Sequence, residues 1–191
     1  MTDSLEHNPF ELKDLDEDLQ AFVVKIPYRV GMYVSQSDVA GGDKADTKEL
    51  RALEMVVTSY AQDYCKSELI EQIMQQTVMS KSQWDDWSKN IEKVPEECME
   101  LFDTLEKQLS TKDLNAFRRI LYDIGRSVAL AYRELNSNPG GIVMMRRKFR
   151  FFKQRRTARR IGHDPLQWEE YLNISGAEQR ALDKLQEALG F

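Results

Sequence analysis

A short acidic loop is the part of the sequence whose residue types and spacing best suit binding chemistry. Residues 38–49 read Asp-Val-Ala-Gly-Gly-Asp-Lys-Ala-Asp-Thr-Lys-Glu. A hard divalent cation is held by several oxygen atoms that converge on one point, and short Asp-rich loops closed by a Glu supply them. The loop is therefore a candidate site for a divalent cation such as Ca²⁺, with these candidate ligands: Asp38, Asp43, Asp46 and Glu49.

The same loop has a second, purely structural interpretation. Asp38 and Glu49 are the first and last residues of a twelve-residue loop, but Ala40 and Gly42 stand where an EF-hand has oxygen ligands. The loop therefore fails as an EF-hand. Asp46 and Glu49 are also explained as the capping pair of the helix that follows. A solvated connection between two helices and a metal site both stay open.

The residues around this loop are similar to the tellurite-resistance TerB-like family. The matching residues are Val34-Ser-Gln-Ser-Asp38, Gly41-Gly42-Asp43 and Thr47-Lys-Glu49-Leu50, and the resemblance covers about residues 28–62. It implies an all-helical cytoplasmic domain implicated in metal- or stress-linked complexes. It also implies that the acidic loop residues named above are metal ligands.

A basic segment is the second candidate for a functional surface. Residues 146–160 contain nine basic side chains and no acidic one: Arg146, Arg147, Lys148, Arg150, Lys153, Arg155, Arg156, Arg159 and Arg160. The rest of the sequence then holds 18 basic against 32 acidic residues, a formal charge of −14. An acidic body with a basic segment can pair the two or offer the segment to an anionic partner.

Three phenylalanines lie among the cations of this basic segment and bear on what it could bind. If the segment is helical, Phe149 and Phe152 continue an apolar stripe that ends there, so the first half would dock and the second half would be basic on all sides. Cations interleaved with phenylalanines, including Phe151, suit nucleic acid through phosphate attraction and stacking, or an anionic membrane surface through insertion. The basic charge equally suits an acidic protein partner, or a helix that pairs with the acidic body of the same chain.

Nothing in the sequence matches an enzyme motif. The two histidines, His7 and His163, stand apart from any recognisable nucleophile motif, and no P-loop, GxGxxG or HExxH occurs. Gly41-Gly42 and Gly140-Gly141 are better explained as turns. We therefore expect a protein that is not an enzyme. A metal-dependent enzyme built from carboxylates on distant helices is a lower-ranked hypothesis.

Composition predicts a cytoplasmic protein. No run of about eighteen apolar residues predicts a transmembrane segment, and the N-terminus is acidic rather than basic and apolar like a signal peptide. Cys65 and Cys98 are 33 positions apart and belong to no CxxC pair. In a reducing compartment we expect both to be small buried apolar residues rather than a disulfide or a zinc site.

Helical periodicity dominates the rest of the chain. The clearest helix runs from about Asp113 to Leu135, with Ser110 and Asp113 as its N-cap pair. Its apolar stripe alternates three and four positions apart: Leu114, Phe117, Leu121, Ile124, Val128, Ala131 and Leu135.

Other helices are predicted by caps and prolines. We expect helices over Phe10–Phe22 and Pro27–Gln36, and others that begin near Asp46, Pro95, Asp164-Pro165 and Ser175-x-x-Glu178. Trp84 and Trp87 are expected to pack, partly buried, at a helix junction rather than to stack on bases, because Asp85 and Asp86 would repel phosphate.

Together these patterns predict an all-α, compact multi-helix bundle of about seven to nine helices in a single domain. We expect three parts: an acidic helical extension (1–24), a helical core (25–137), and a basic segment with C-terminal helices docked on the core (142–191). The function we expect is that of a non-enzymatic interaction or regulatory protein with a protein partner, with TerB-like metal binding in the acidic loop. Nucleic-acid binding through residues 146–160 is the second hypothesis.

Overall fold

The computed structural model of the 191-residue chain describes residues 10–37, 53–61, 67–131 and 174–190. The protein is all-α, as predicted, and no strand occurs in these ranges. Seven α-helices lie there: α1 Glu17–Ser35, α2 over residues 53–61, α3 Glu68–Met79, α4 Trp84–Trp87, α5 Val94–Leu105, α6 Thr111–Ala131 and α7 Gly176–Ala188. Three 3-10 turns accompany them: Leu12–Asp14, Lys81–Gln83 and Ile91–Lys93. None of the helices in the described ranges is long and apolar enough to cross a membrane.

Helix α1 is the centre of the bundle. It contacts α3, α4, α5, α6 and α7, and twelve of its nineteen residues are buried. After its first turn the helix is largely apolar, with Lys25 and Arg29 as its charged residues, which is the pattern of a helix that others cover on most sides. Asp16 caps the helix by accepting a hydrogen bond from the Leu19 amide at 2.9 Å.

The prediction of two separate helices over Phe10–Phe22 and Pro27–Gln36 is wrong. Residues 17–35 form one helix with Pro27 inside it. Proline removes one backbone hydrogen bond and crowds the preceding turn. Because residue 27 has no N–H, the Val23 carbonyl lacks its usual helical donor. One residue on, the hydroxyl of Thr77, on α3, donates a hydrogen bond to the Val24 carbonyl at 2.6 Å and joins the two helices in this turn. The tertiary contacts and the burial of α1 thus outweigh the local cost of proline. The expected boundary between the N-terminal extension (1–24) and the helical core (25–137) falls within this helix.

Helices α5, α6 and α7 agree with their sequence signals. Five residues of the α6 stripe are buried: Leu114, Phe117, Leu121, Ile124 and Val128. Ser110 accepts a hydrogen bond from the Asp113 amide at 3.1 Å, which confirms that cap. Pro95 lies at the start of α5, and Ser175 and Glu178 form the predicted capping box of α7. Leu135 lies outside the described residues. So do the predicted helix starts at Asp46 and at Asp164-Pro165.

Glycine allows α1 to approach its neighbours closely. A β-carbon on Gly31 would lie 2.1 Å from Cδ1 of Leu53, a fully buried residue of α2. On α6, a β-carbon on Gly125 would lie 3.1 Å from side-chain atoms of Val34 and Leu185. The close approach of these helices therefore depends on two positions without a side chain.

Candidate interaction groove

Both functional surfaces expected from the sequence lie outside the described residues. This applies to the acidic-loop residues Asp38, Asp43, Asp46 and Glu49, to the nine cations of the basic segment (residues 146–160), and to both histidines. Within the described ranges, no cluster of three or more His, Cys, Asp or Glu side chains could hold a metal ion. The metal site and the polyanion site therefore stay predictions.

The described part of the chain does contain a groove between α1 and α3. Its volume is about 750 Å³, within the range typical of ligand sites in proteins. The 3-10 turn Leu12–Asp14 borders one end, and the segment from Met79 to Trp87 borders the other. The lining residues are Leu12, Lys13, Glu17, Gln20, Ala21, Val24, Lys25, Gln72, Gln75, Gln76, Met79, Ser80, Gln83 and Trp87.

Long-range hydrogen bonds hold the walls of this groove together. The side-chain oxygen of Gln72, on α3, accepts a hydrogen bond from the Leu12 amide at 2.8 Å. Gln20 donates to the Leu15 carbonyl at 2.7 Å, which ties the turn to α1. At mid-length, Thr77 joins α3 to the Val24 carbonyl. The two helices and the turn therefore form one preformed surface.

Glutamine is the commonest residue in the lining. Five of the fourteen lining residues are glutamines, contributed by α1, α3 and the turn before α4. Gln20, Gln72 and Gln75 are engaged in hydrogen bonds within the protein. The side chains of Gln76 and Gln83 are exposed and have no hydrogen-bond partner among the described residues. Each carboxamide offers both a donor and an acceptor to a bound molecule.

Two large apolar side chains line the α4 end of the groove. Met79 is 78% exposed, and Trp87 is half-buried. The Trp87 ring lies 6.3 Å from that of Tyr28, while Trp84 stacks on Tyr28 at 4.4 Å and donates to the Thr77 carbonyl at 3.1 Å. The expected packing of both tryptophans at a helix junction is confirmed, with Trp84 more deeply buried than Trp87.

A buried arginine fixes the position of Trp87. Arg29 uses all five N–H groups: two donate to the Glu97 carboxylate at 2.8 and 2.9 Å, and three donate to the backbone carbonyls of Trp87, Lys89 and Asn90. Its side chain is 6% exposed. A guanidinium with every donor paired can be buried at little net cost. The turn that follows α4, and Trp87 with it, is therefore held rigidly against α1.

The charges along the groove differ between its two ends. Lys25 lies near the α4 end, its ammonium 4.5 Å above the Phe22 ring, and makes no ion pair with any described carboxylate. At the other end, Lys13 is paired with Glu11 at 2.7 Å, whereas Glu17 is exposed and makes no ion pair within the described ranges. The groove thus carries an unmatched negative charge at one end and an unmatched positive charge at the other.

Cys98, the cysteine that the structure describes, agrees with its predicted role. It is fully buried on α5, and burial raises the pKa of its thiol far above the usual range. The neutral thiol is therefore the stable form, and Cys98 behaves as a small apolar core residue. Cys65 lies outside the described residues.

Sequence reasoning did not predict the groove. Glutamines at exposed helix positions look like ordinary solvated residues, and the turn meets α3 only through a contact between positions 12 and 72. Comparison with known proteins adds no assignment: no family model, no curated protein and no solved structure matches the chain. The resemblance to the TerB-like family stays a prediction.

Proposed function

We propose that this is a non-enzymatic interaction protein that binds a segment of a partner protein in the groove between α1 and α3. One observation carries the proposal. Met79, which is 78% exposed, and a rigidly held, half-buried tryptophan, Trp87, both line the α4 end of a groove of about 750 Å³. Methionine is common on surfaces that bind varied peptides, and tryptophan is enriched among residues that dominate binding energies.

The carboxamides in the lining support a polypeptide ligand. A protein segment presents backbone N–H and C=O groups, and the free amides of Gln76 and Gln83 can pair with both kinds. The described lining contains no histidine and no cysteine, and carboxamides bind without gaining or losing protons. Uncharged amides of this kind suit the recognition of a polar peptide backbone.

Selection from a displayed library of random linear peptides tests this function. We expect the immobilised 191-residue protein to enrich peptides that bind the wild type. Their affinity, measured by calorimetry, should fall about tenfold in the Met79→Gln variant, because burial of a methionine side chain contributes about 1.5 kcal/mol or more. Met55→Gln is the matched control, because Met55 is 71% exposed on α2 and does not line the groove. A library without enriched peptides, or peptides that bind Met79→Gln as well as the wild type, would show that the groove is not a peptide site.

A further inference from the structure

The charges and amides of the groove point to a particular kind of segment, and this inference rests on the function proposed above. We propose that the ligand is an extended peptide with a carboxylate side chain that pairs with Lys25 and a basic side chain that pairs with Glu17. An apolar side chain next to the carboxylate would pack on Met79 and Trp87.

The extended conformation follows from the amides. In an α-helix the backbone N–H and C=O groups are already bonded to one another, so they have nothing to offer the free carboxamides. In an extended segment these groups stay available along the whole length. Gln76, on α3, and Gln83, before α4, are exposed lining residues and can pair with such a backbone.

Lys25 is the group that selects a carboxylate. It lies three positions before Tyr28, the residue that Trp87 packs against, so Lys25 and Trp87 share one end of the groove. Two other lysines of the segment around α4 already have carboxylate partners: Lys89 pairs with Asp86 at 2.6 Å, and Lys81 pairs with Glu54. Asp85 is exposed on α4 and does not line the groove. Within the described lining, Lys25 is thus the cation without a carboxylate partner.

Glu17 sets the spacing of the ligand's charges. It lies two turns before Lys25 on α1, and eight residues of helix span roughly 12 Å. An extended chain covers about 3.3 Å per residue, so the two charges of the ligand should stand about four residues apart. Lys13 does not alter this pattern, because Glu11 already neutralises it.

Parallel selections on charge-reversed variants test the inference. A displayed library of random linear peptides is selected on the wild type, Lys25→Glu, Glu17→Lys and the control Lys93→Glu, whose lysine is exposed on the turn Ile91–Lys93 outside the groove. The wild type and Lys93→Glu should enrich an acidic residue about four positions from a basic one. Lys25→Glu should change the acidic position alone to a basic one, and Glu17→Lys should change the basic position alone to an acidic one.

Affinities then measure each pairing. Because exposed ion pairs contribute modestly, the wild-type peptide should bind Lys25→Glu about two- to fivefold more weakly, and the peptide with its acidic residue reversed should recover that loss. Enriched peptides that share one sequence pattern on all four proteins would overturn the charge assignment and leave peptide binding intact. The absence of any enrichment on the wild type would overturn both this inference and the proposed function.

Discussion

Arg29 and Glu97 lie 68 positions apart in the sequence and form a bidentate ion pair in the core, with N–O distances of 2.8 and 2.9 Å. The same guanidinium holds the turn after α4, where Asn90 adopts the left-handed conformation with φ of 52°. Non-glycine residues rarely adopt this conformation unless their surroundings impose it. One cation on the central helix therefore holds α5 and the α4 turn in place.

Replacing Arg29 should destabilise the protein strongly. We expect Arg29→Met to lower the free energy of unfolding by about 3–5 kcal/mol, because it leaves a partly buried carboxylate and three carbonyl groups without their donor. Urea denaturation measures the change. Lys89→Ala is the control: it breaks the exposed pair with Asp86 and should leave the unfolding midpoint close to that of the wild type. Equal unfolding midpoints for the two variants would contradict the structural role of Arg29.

Gly31→Ala should also destabilise the protein, through overpacking. The new methyl group would meet Cδ1 of Leu53 in a fully buried contact, and we expect a cost of about 1–3 kcal/mol. Gly176→Ala, whose nearest neighbour would be the end of the Arg180 side chain at 3.7 Å, should cost little. In the double variant with Leu53→Val, the two costs should be less than additive. Full additivity in chemical denaturation would show that the two side chains do not meet.

Because of Tyr28, the free energy of unfolding should fall as the pH rises through the alkaline range. Burial, with a smaller contribution from Asp85, raises the pKa of Tyr28 from 10.0 to about 12. A raised pKa means that the folded state holds the proton more tightly. The contribution of Tyr28 to stability is therefore complete below pH 10 and is lost as the pH rises towards 12.

Ultraviolet titration of phenolate formation checks this prediction. Tyr28→Phe should remove part of the late-ionising signal, and the variant should lose less stability than the wild type between about pH 10 and pH 12. Tyr122 and Tyr33 still ionise late in this variant, because burial raises the pKa of both phenols, that of Tyr122 to about 12. An unchanged late signal in Tyr28→Phe would show that this phenol ionises normally.

The acidic loop can be tested independently of the groove. If residues 38–49 bind a hard cation, millimolar Ca²⁺ should raise the melting temperature through preferential binding to the folded state. Asp38→Ala combined with Asp43→Ala should abolish that rise, while Asp103→Ala, on the exposed side of α5, should retain it. Calorimetry without binding heat for Ca²⁺, Mg²⁺ and Mn²⁺ would leave the capping interpretation of Asp46 and Glu49.

The basic segment should show salt-dependent binding if it recognises nucleic acid. Binding to duplex or single-stranded nucleic acid should weaken by orders of magnitude between low and physiological salt, and replacement of four arginines by serine should abolish it: Arg155, Arg156, Arg159 and Arg160. Phe151→Ser should instead weaken binding to vesicles that contain anionic lipid. A protein that ignores both ligands at low salt would have a basic segment that pairs with its own acidic body.

Local sequence patterns predicted the helices whose signals are local. The α6 stripe and the Ser175–Glu178 capping box depend on residues three or four positions apart, and both occur as predicted. Continuity of α1 through Pro27 could not be predicted in this way. It depends on the helices that surround α1, among them α3, whose Thr77 donates to the Val24 carbonyl from 53 positions away.

The candidate site was harder to predict for the same reason. Arg29 stands next to apolar residues and looks like a cation at the helix surface, since its partner on α5 is distant in the sequence. The groove exists only when Gln72 meets Leu12 and when α4 turns back towards α1. Neither of these contacts produces a periodic pattern in the sequence.

The central position of α1 has a consequence for synthesis. Its contacts include α7, and about 140 residues separate Ser35 from Gly176. At translation rates of about 5–20 residues per second, α1 would leave the ribosome on the order of 7–30 s before α7 can cover it. During that interval a helix that is apolar on nearly every side stays incompletely covered. The nascent chain should therefore be a good client for chaperones that bind apolar segments, until its last described helix emerges.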